Sequence, residues 1–325
     1  MRRFVSAVLM LLGVLACAAP VSAQQYPSRV VTIIVPYPAG GPTDQLARAL
    51  GQSLFDKLGQ TFIVVNVSGG GTTIATGRVA RATPDGHTLI LHNLQISANV
   101  SLYKDLSFDT EKDLTPIMFV NQNPLVLVGR KTLEPNTLSE LLALMKSKPL
   151  KAATPGVGAT GHLATSLLAQ EAKVEIDQIP YRGAAPALQD IAGSHVDLFF
   201  ATPQSVSQQV AAGQMKAYGI TAKEKSPLFP GAESFVSVFG SKLEILYWHA
   251  LFAPAGTSDA IIQKLNAALQ EIVSDPAIVK LWSETGVAPY PKDQRSPAAA
   301  RELLKSEIAR WSQVIRDNHI QGSAQ

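Results

Sequence analysis

Val30-Val31-Thr32-Ile33-Ile34-Val35-Pro36-Tyr37-Pro38-Ala39-Gly40-Gly41-Pro42-Thr43-Asp44 is the stretch on which the fold turns. Its first half is a run of mostly β-branched residues, as in a strand buried on both faces of a parallel sheet. Pro36 and Pro38 end the strand because they fix φ and cannot donate to the ladder. Gly40 and Gly41 permit a tight reversal. Pro42 suits a first helical position, with Thr43 and Asp44 in the first turn. A strand, a glycine turn and a helix start with free N–H groups make a place where an anion can sit.

The pattern repeats on either side of a second such element. Leu58-Gly59 stops the opening helix, Phe62 to Val67 reads as a strand, and Ser68-Gly69-Gly70-Gly71-Thr72-Thr73 leads into a helix at Ile74 to Ala82. After the turn Pro84-Asp85-Gly86 comes a strand, His87 to Asn93. This alternation predicts a doubly wound parallel sheet. Leu114 to Val128 is strand-rich, with an interruption expected at Asn121-Gln122-Asn123-Pro124. A helix at Thr137 to Ser147 follows, then the strand Leu150 to Thr154, a loop from Pro155 to Gly161 and a helix from His162 to Ala172. Ile176–Tyr181, Val196–Phe200 and Lys216–Thr221 read as strands, with helices at Pro186–Ala192 and Pro203–Ala212 between them. Leu246 to Pro254 reads as a strand leading back. Three amphipathic helices close the chain, with Trp282 and Trp311 as their core anchors. The expected organisation is a leader at 1–23, a discontinuous first lobe at 24–125 and 248–325, and a second lobe at 126–247. A ligand cleft is expected between the carboxyl ends of the two sets of strands.

Composition narrows the function. The chain has 325 residues, 16% of them charged and 6% aromatic, and its net charge of +3 includes Arg2 and Arg3. Without those two, 26 of the 28 basic residues remain against 25 acidic ones. So even a balance gives no electrostatic footprint for nucleic acid or an anionic membrane. Arg2-Arg3, the apolar run Phe4 to Ala19 and Val21-Ser22-Ala23 have the order of an export signal, with cleavage expected before Gln24. Val14-Leu15-Ala16-Cys17 is the competing reading, a lipoprotein box. Cys17 is the only cysteine, so no internal disulfide supports either lobe.

Several motifs carry chemistry. Gly156-Val157-Gly158-Ala159-Thr160-Gly161 is a G-x-G-x-x-G between a strand and a helix, and Asp177 lies about twenty residues on, as in a dinucleotide fingerprint. The export signal and the matching Gly40-Gly41 turn favour a smaller anion held by helix N–H groups at both loops. His162 sits where it can reach that anion or hydrogen-bond the loop backbone. Arg182 is placed to clamp a carboxylate or to point into solvent. Asn93 and Gln95 either read ligand polar atoms or cap their loop. There is no G-x-S-x-G, no H-E-x-x-H and no metal-ligand spacing, so neither catalysis nor a metal or other cofactor is expected.

These residues resemble the Bug/TctC family, the substrate-binding proteins of tripartite tricarboxylate transporters. The likeness runs from Tyr26-Pro27-Ser28-Arg29 and Val35 to Asp44, through Thr83 to Leu89 and Gly156 to Leu163. It ends with Pro180-Tyr181-Arg182-Gly183 to Asp190 and Phe252 to Thr257. It implies a periplasmic, two-lobed type II solute-binding fold that closes on a small organic acid, a di- or tricarboxylate or an aromatic carboxylate. The bound acid would pass to a permease with a large and a small membrane subunit. It also implies that a ligand carboxylate meets the loop of Tyr37, Gly40, Gly41, Pro42, Thr43 and Asp44, with bridging waters. The second lobe would contribute Thr154, Gly158, Ala159, Thr160 and His162, with Tyr181 and Arg182 at the rim. The expected state is a monomer. The alternatives are an exported α/β enzyme or a receptor that feeds a sensor kinase.

Two departures bear on the ligand. Where the family commonly has an acidic residue after the second strand, this chain has Val65. Where many relatives carry another after the residue matching Phe200, it has Ala201. The first implies a different cleft wall there; the second leaves no carboxylate for a ligand ammonium, so a plain carboxylic acid is expected rather than an amino acid.

Overall fold

The computed structural model describes residues 26–320, so the leader and Cys17 lie outside the described residues. The opening strand is β1, Val31–Val35, and its glycine turn feeds helix α1, Pro42–Leu58. Pro42 begins the helix, and Gly59, left-handed at φ 72°, ends it by donating its N–H to Phe55 O. Next come β2 (Phe62–Asn66), α2 (Thr73–Ala80), β3 (Thr88–Asn93), α3 (Gln95–Leu102) and β4 (Leu114–Pro124). Then β5 (Val126–Arg130), α4 (Leu138–Ser147), β6 (Leu150–Thr154), α5 (Thr160–Ala172), β7 (Ile176–Pro180) and α6 (Ala184–Ala192) build the other half. It is completed by β8 (Leu198–Ala201), α7 (Pro203–Ala211), β9 (Met215–Ile220), β10 (Glu233–Ser234) and α8 (Phe235–Phe239). The chain then returns through β11 (Leu246–Pro254), α9 (Asp259–Ser274), α10 (Pro276–Ser283), β12 (Ala288–Pro289) and α11 (Pro297–Asp317).

These strands form two six-stranded sheets, ordered β12-β4-β11-β3-β1-β2 and β10-β9-β5-β8-β6-β7. The parallel expectation holds for β1 with β2 and β3, and for β6 with β7 and β8. Each sheet is nevertheless mixed. β11 lies antiparallel between β3 and β4, and β5 lies antiparallel between β8 and β9. The interruption expected at Asn121–Pro124 does not occur. β4 continues through those residues because β11 pairs with them out to Leu246↔Pro124. Helix α3 carries no amphipathic signal: six of its eight residues are buried, around most of its circumference.

Alternate residues of the first sheet serve opposite faces, as a doubly covered strand requires. Ile33, Val35, Leu89 and Leu251 pack with Leu46, Leu50 and Leu54 of α1 and Leu265 and Leu269 of α9. Ile34, Ile90 and Phe252 face the other way, in the cluster that holds Leu94, Leu102 and Trp311. Trp311 is fully buried, as expected, and Trp282 is half-buried against the first cluster. Trp248 and Trp311 both donate their indole N–H to Glu307 Oε2, at 2.7 and 3.1 Å, which ties α11 to β11.

The chain changes sheets at Leu125 and returns at Ile245, and one buried threonine joins the two crossings. Thr221 Oγ1 accepts from Leu125 N at 2.8 Å and donates to Ile245 O at 2.6 Å. Its backbone N–H bonds Leu125 O, and its carbonyl accepts from Ile245 N. Both crossings are therefore held at one point beside the cleft.

Candidate ligand cleft

A cavity of about 120 Å³ lies where the two sheets' loops meet. The first lobe supplies Tyr37 to Ala39, Gly41 to Thr43, Asn93, Gln95 and Tyr247, and the second supplies Ala159 to Gly161, Arg182 to Pro186 and Phe199 to Thr202. Four helices start on this cavity. Gly41, Ala159, Gly183 and Thr202, the N-cap residues of α1, α5, α6 and α7, all line it, and no side chain caps any of the four. In α1 the first intrahelical bond is Gln45 N to Gly41 O, which leaves the N–H groups of Thr43 and Asp44 ahead of it. In α5 it is Leu163 N to Ala159 O, which leaves those of Thr160, Gly161 and His162. Helix N-termini favour negative charge. Of the cavity's lining residues none is acidic, and Arg182 alone carries a formal charge.

Asp44, in the first turn of α1, does not oppose that field. Its carboxylate turns back to accept from Gly40 N at 2.9 Å, Asn66 Nδ2 at 3.0 Å and Arg48 Nη2 at 2.9 Å. Asn66 Nδ2 also donates to Tyr37 O at 3.0 Å. Burial alone would raise the Asp44 carboxyl, but the hydrogen bonds from Arg48, Gly40 and Asn66 outweigh it and hold it below the ordinary carboxylate range. Asp44 thus braces the loop instead of lining the cavity. Gly40, left-handed at φ 87°, is part of the same brace and does not line it either.

Behind the cavity runs an uncharged polar wall. Tyr37 Oη donates to Asn93 Oδ1 at 2.7 Å, and Asn93 Nδ2 donates to Tyr247 Oη at 2.8 Å. Thr43 Oγ1 lies 3.0 Å from His249 Nε2, whose Nδ1 is 2.9 Å from Asn121 Oδ1. Burial, with His92 nearby, pushes His249 down to about 3, and burial pushes Tyr247 up to about 12. At neutral pH the wall therefore supplies fixed dipoles without net charge.

The structure separates the sequence-derived candidates. Tyr37, Gly41, Pro42, Thr43, Asn93, Gln95, Ala159, Thr160 and Arg182 line the cavity. Thr160 is only 4% exposed, and its hydroxyl has no hydrogen-bond partner among the described residues. Thr154, Gly158 and His162, in the second lobe, do not line the first cavity. Thr154 is fully buried, its hydroxyl also has no partner among the described residues, and it lines neither this cavity nor the adjoining one. His162 Nδ1 accepts from Gly158 N at 3.2 Å, and burial lowers its pKa, so its ring fixes the loop as a neutral acceptor. A Cβ on Gly158 would come within 2.2 Å of Leu102 in the opposite lobe, so the glycine lets the lobes touch. Tyr181 donates to Asp190 Oδ2 at 2.6 Å and lines only the adjoining cavity described next. Tyr247, Ala184–Pro186 and Thr202 line the first cavity without having been foreseen. Tyr247 reaches it by antiparallel pairing of β11 across 154 residues from Asn93, which no local motif announces.

A second, wider cavity of about 530 Å³ adjoins the first, and Tyr37, Pro38, Gln95, Pro155, Arg182 and Gly183 line both. Gln95 Nε2 donates across the lobes to Val157 O at 3.4 Å and within its own lobe to Gly71 O at 3.3 Å. Among the described residues no group of His, Cys, Asp and Glu is arranged to hold a metal ion.

Two α/β lobes that meet over a cavity ringed by helix N-termini define the class of two-lobed periplasmic solute-binding proteins. The family model of the tripartite tricarboxylate transporter family receptor, TctC, matches residues 46–320. The chain belongs to this family, in agreement with the resemblance seen in its motifs. It is similar to BugT of Bordetella pertussis, with 32% identity over 321 residues covering 98% of each chain. Among solved structures it is similar to the periplasmic binding protein BugD, with 32% identity, a TM-score of 0.85, and 91% of this chain and 99% of that one covered. It is also similar to MatC from Rhodopseudomonas palustris with bound malate. There the identity is 33% and the TM-score 0.82, with 89% and 100% covered. A further R. palustris protein, solved with adipate, is 29% identical with a TM-score of 0.85 and covers 91% and 99%. Family membership leaves the dinucleotide reading of Gly156–Gly161 without support, and that loop opens α5 at the cavity.

Proposed function

We propose that this protein is an exported, periplasmic receptor that binds a small organic acid and delivers it to a tripartite tricarboxylate-type permease, without catalysing a reaction. The carrying observation is the convergence of four uncapped helix N-termini on a cavity that has no acidic side chain and one arginine. Such dipoles and N–H groups hold a carboxylate without a cluster of basic residues, which fits the near-neutral charge of the chain. In this reading a carboxylate sits between the first turns of α1 and α5. It takes N–H bonds from Thr43 and Asp44 and a hydroxyl bond from Thr160, while Arg182 meets a second polar or anionic group. Tyr37, Asn93, Gln95 and Tyr247 shape the wall, and Asp44, Gly40, Gly158 and His162 hold the loops in place. The halves that close are 24–125 with 248–325, and 126–247. The bound forms of MatC and the adipate-binding relative support the carboxylate class.

A thermal-shift screen of the mature protein against organic acids tests this reading. A receptor gains about 2.7 kcal/mol at a hundredfold excess of ligand over its dissociation constant. Stabilisation by dicarboxylates is expected. A flat response across the acids, with stabilisation by nicotinamide dinucleotides, would overturn it.

A further inference from the structure

The second cavity has the chemistry of a ligand subsite of its own beside the inner one. It adjoins the carboxylate cavity through the neck formed by Tyr37, Gln95 and Arg182. Its far wall is the turn Ser68–Thr72, in which Gly69, Gly70, Gly71 and Thr72 all have positive φ. Three glycines carry this run, since glycine adopts positive φ at little cost, and it ends at Thr72, itself at φ 80°. Its backbone also leaves donors free: among the described residues no acceptor bonds the N–H of Gly70 or Gly71. Tyr103 Oη lies against Gly71, 1.8 Å from where a Cβ would stand, and has no hydrogen-bond partner among the described residues. Among the described residues no acidic side chain lines this cavity, and Arg182 is its one charged side chain. At 530 Å³ it is also far larger than the 120 Å³ first cavity, and ligand pockets generally measure about 300–1,000 Å³.

We infer that the second cavity receives the distal acidic group of an elongated ligand, an α,ω-dicarboxylate longer than four carbons. Its first carboxylate lies in the inner cavity, and its chain passes Tyr37. The distal carboxylate, the second group that Arg182 meets from the wall shared by both cavities, also takes N–H bonds from the Gly70–Gly71 turn and a hydroxyl bond from Tyr103. The inner cavity is of the order of one that holds a benzene-sized molecule, about 150 Å³, so a longer chain must extend outward. The inference rests on the carboxylate reading above and adds the length of the ligand and the residues at its far end.

Calorimetry of the mature protein with the dicarboxylate series from succinate to azelate, and with the matching monocarboxylates, tests it. Affinity is expected to rise about tenfold or more from succinate to an optimum at a longer diacid, with each long monocarboxylate well below its diacid. Ser68→Asp puts a like charge on the exposed edge of the outer cavity. It is expected to weaken the long diacids about tenfold and leave succinate unchanged, and Tyr103→Phe to weaken the long diacids by about threefold. Succinate binding as tightly as every longer diacid, or both variants weakening all acids alike, overturns the outer subsite and leaves the carboxylate reading standing. Binding of no acid at all overturns both.

Discussion

Asp44 shows how a residue's type and its role can diverge within one motif. The sequence places an acidic side chain at the mouth of the proposed carboxylate site, and the structure turns that charge into the loop, onto Gly40, Asn66 and Arg48. Because its pKa is held below the ordinary value, the stability it contributes is present above about pH 4 and is lost as pH falls through its folded value. His92 and His249 act earlier. Both are pushed down to about 3, chiefly by burial, while in the unfolded chain they titrate near 6.5. Unfolding therefore takes up protons below about pH 6.5. Denaturant midpoints should hold a plateau above pH 7 and decline steadily from about 6.5 towards 3; a midpoint unchanged between pH 7 and 4 would contradict the burial of these rings. Thr160 gives the complementary test. Its buried hydroxyl has no partner among the described residues, so Thr160→Val should leave thermal stability unchanged or slightly raised. A hydrogen bond to a charged group contributes about 1.5–3 kcal/mol, so the same variant should weaken carboxylate binding about tenfold. Equal losses of stability and affinity would mark Thr160 as structural.

At the scale of elements, the strand–glycine–helix units were legible because their signals are local. Val31–Val35 is β-branched, Gly40 and Gly59 supply left-handed turns, and Pro42 sits where a helix begins. What could not be read was set by distance in the chain. β11 inserts antiparallel between β3 and β4 and brings Tyr247 and His249 to Thr43, over 200 residues away. Helix α3 was hidden because burial around most of its circumference erases the period of an amphipathic helix. That helix also explains Gly158, whose missing Cβ makes room for Leu102. Gly158→Ala should weaken ligand binding about tenfold or more by holding the lobes apart, and Leu102→Ala in the same chain should restore part of it. The restoration is only partial because φ +77° strains alanine in any surroundings. If Leu102→Ala restores nothing, the lobe contact is not what the glycine serves.

For the whole molecule, two crossings join the two sheets among the described residues, both held by Thr221, and the lobes touch across the cleft through Gln95–Val157 and Gly158–Leu102. That arrangement suits hinge closure. Small-angle scattering should give a smaller radius of gyration with a saturating acid than without it, and an identical profile at saturation would contradict closure. The fold class was legible at this scale because the ordered motifs span the chain. The convergence of four helix starts was not, since Gly183 and Thr202 acquire their position only when β6, β7 and β8 align in parallel. The central claim is that backbone dipoles at that convergence recognise negative charge. Its most direct test is calorimetric titration of the mature protein with a dicarboxylate that stabilises it, side by side with the uncharged diamide of the same skeleton. The account predicts that the diamide binds at least about tenfold more weakly, since each charged end lost removes about 1.5–3 kcal/mol; a diamide that binds as tightly as the diacid would contradict it.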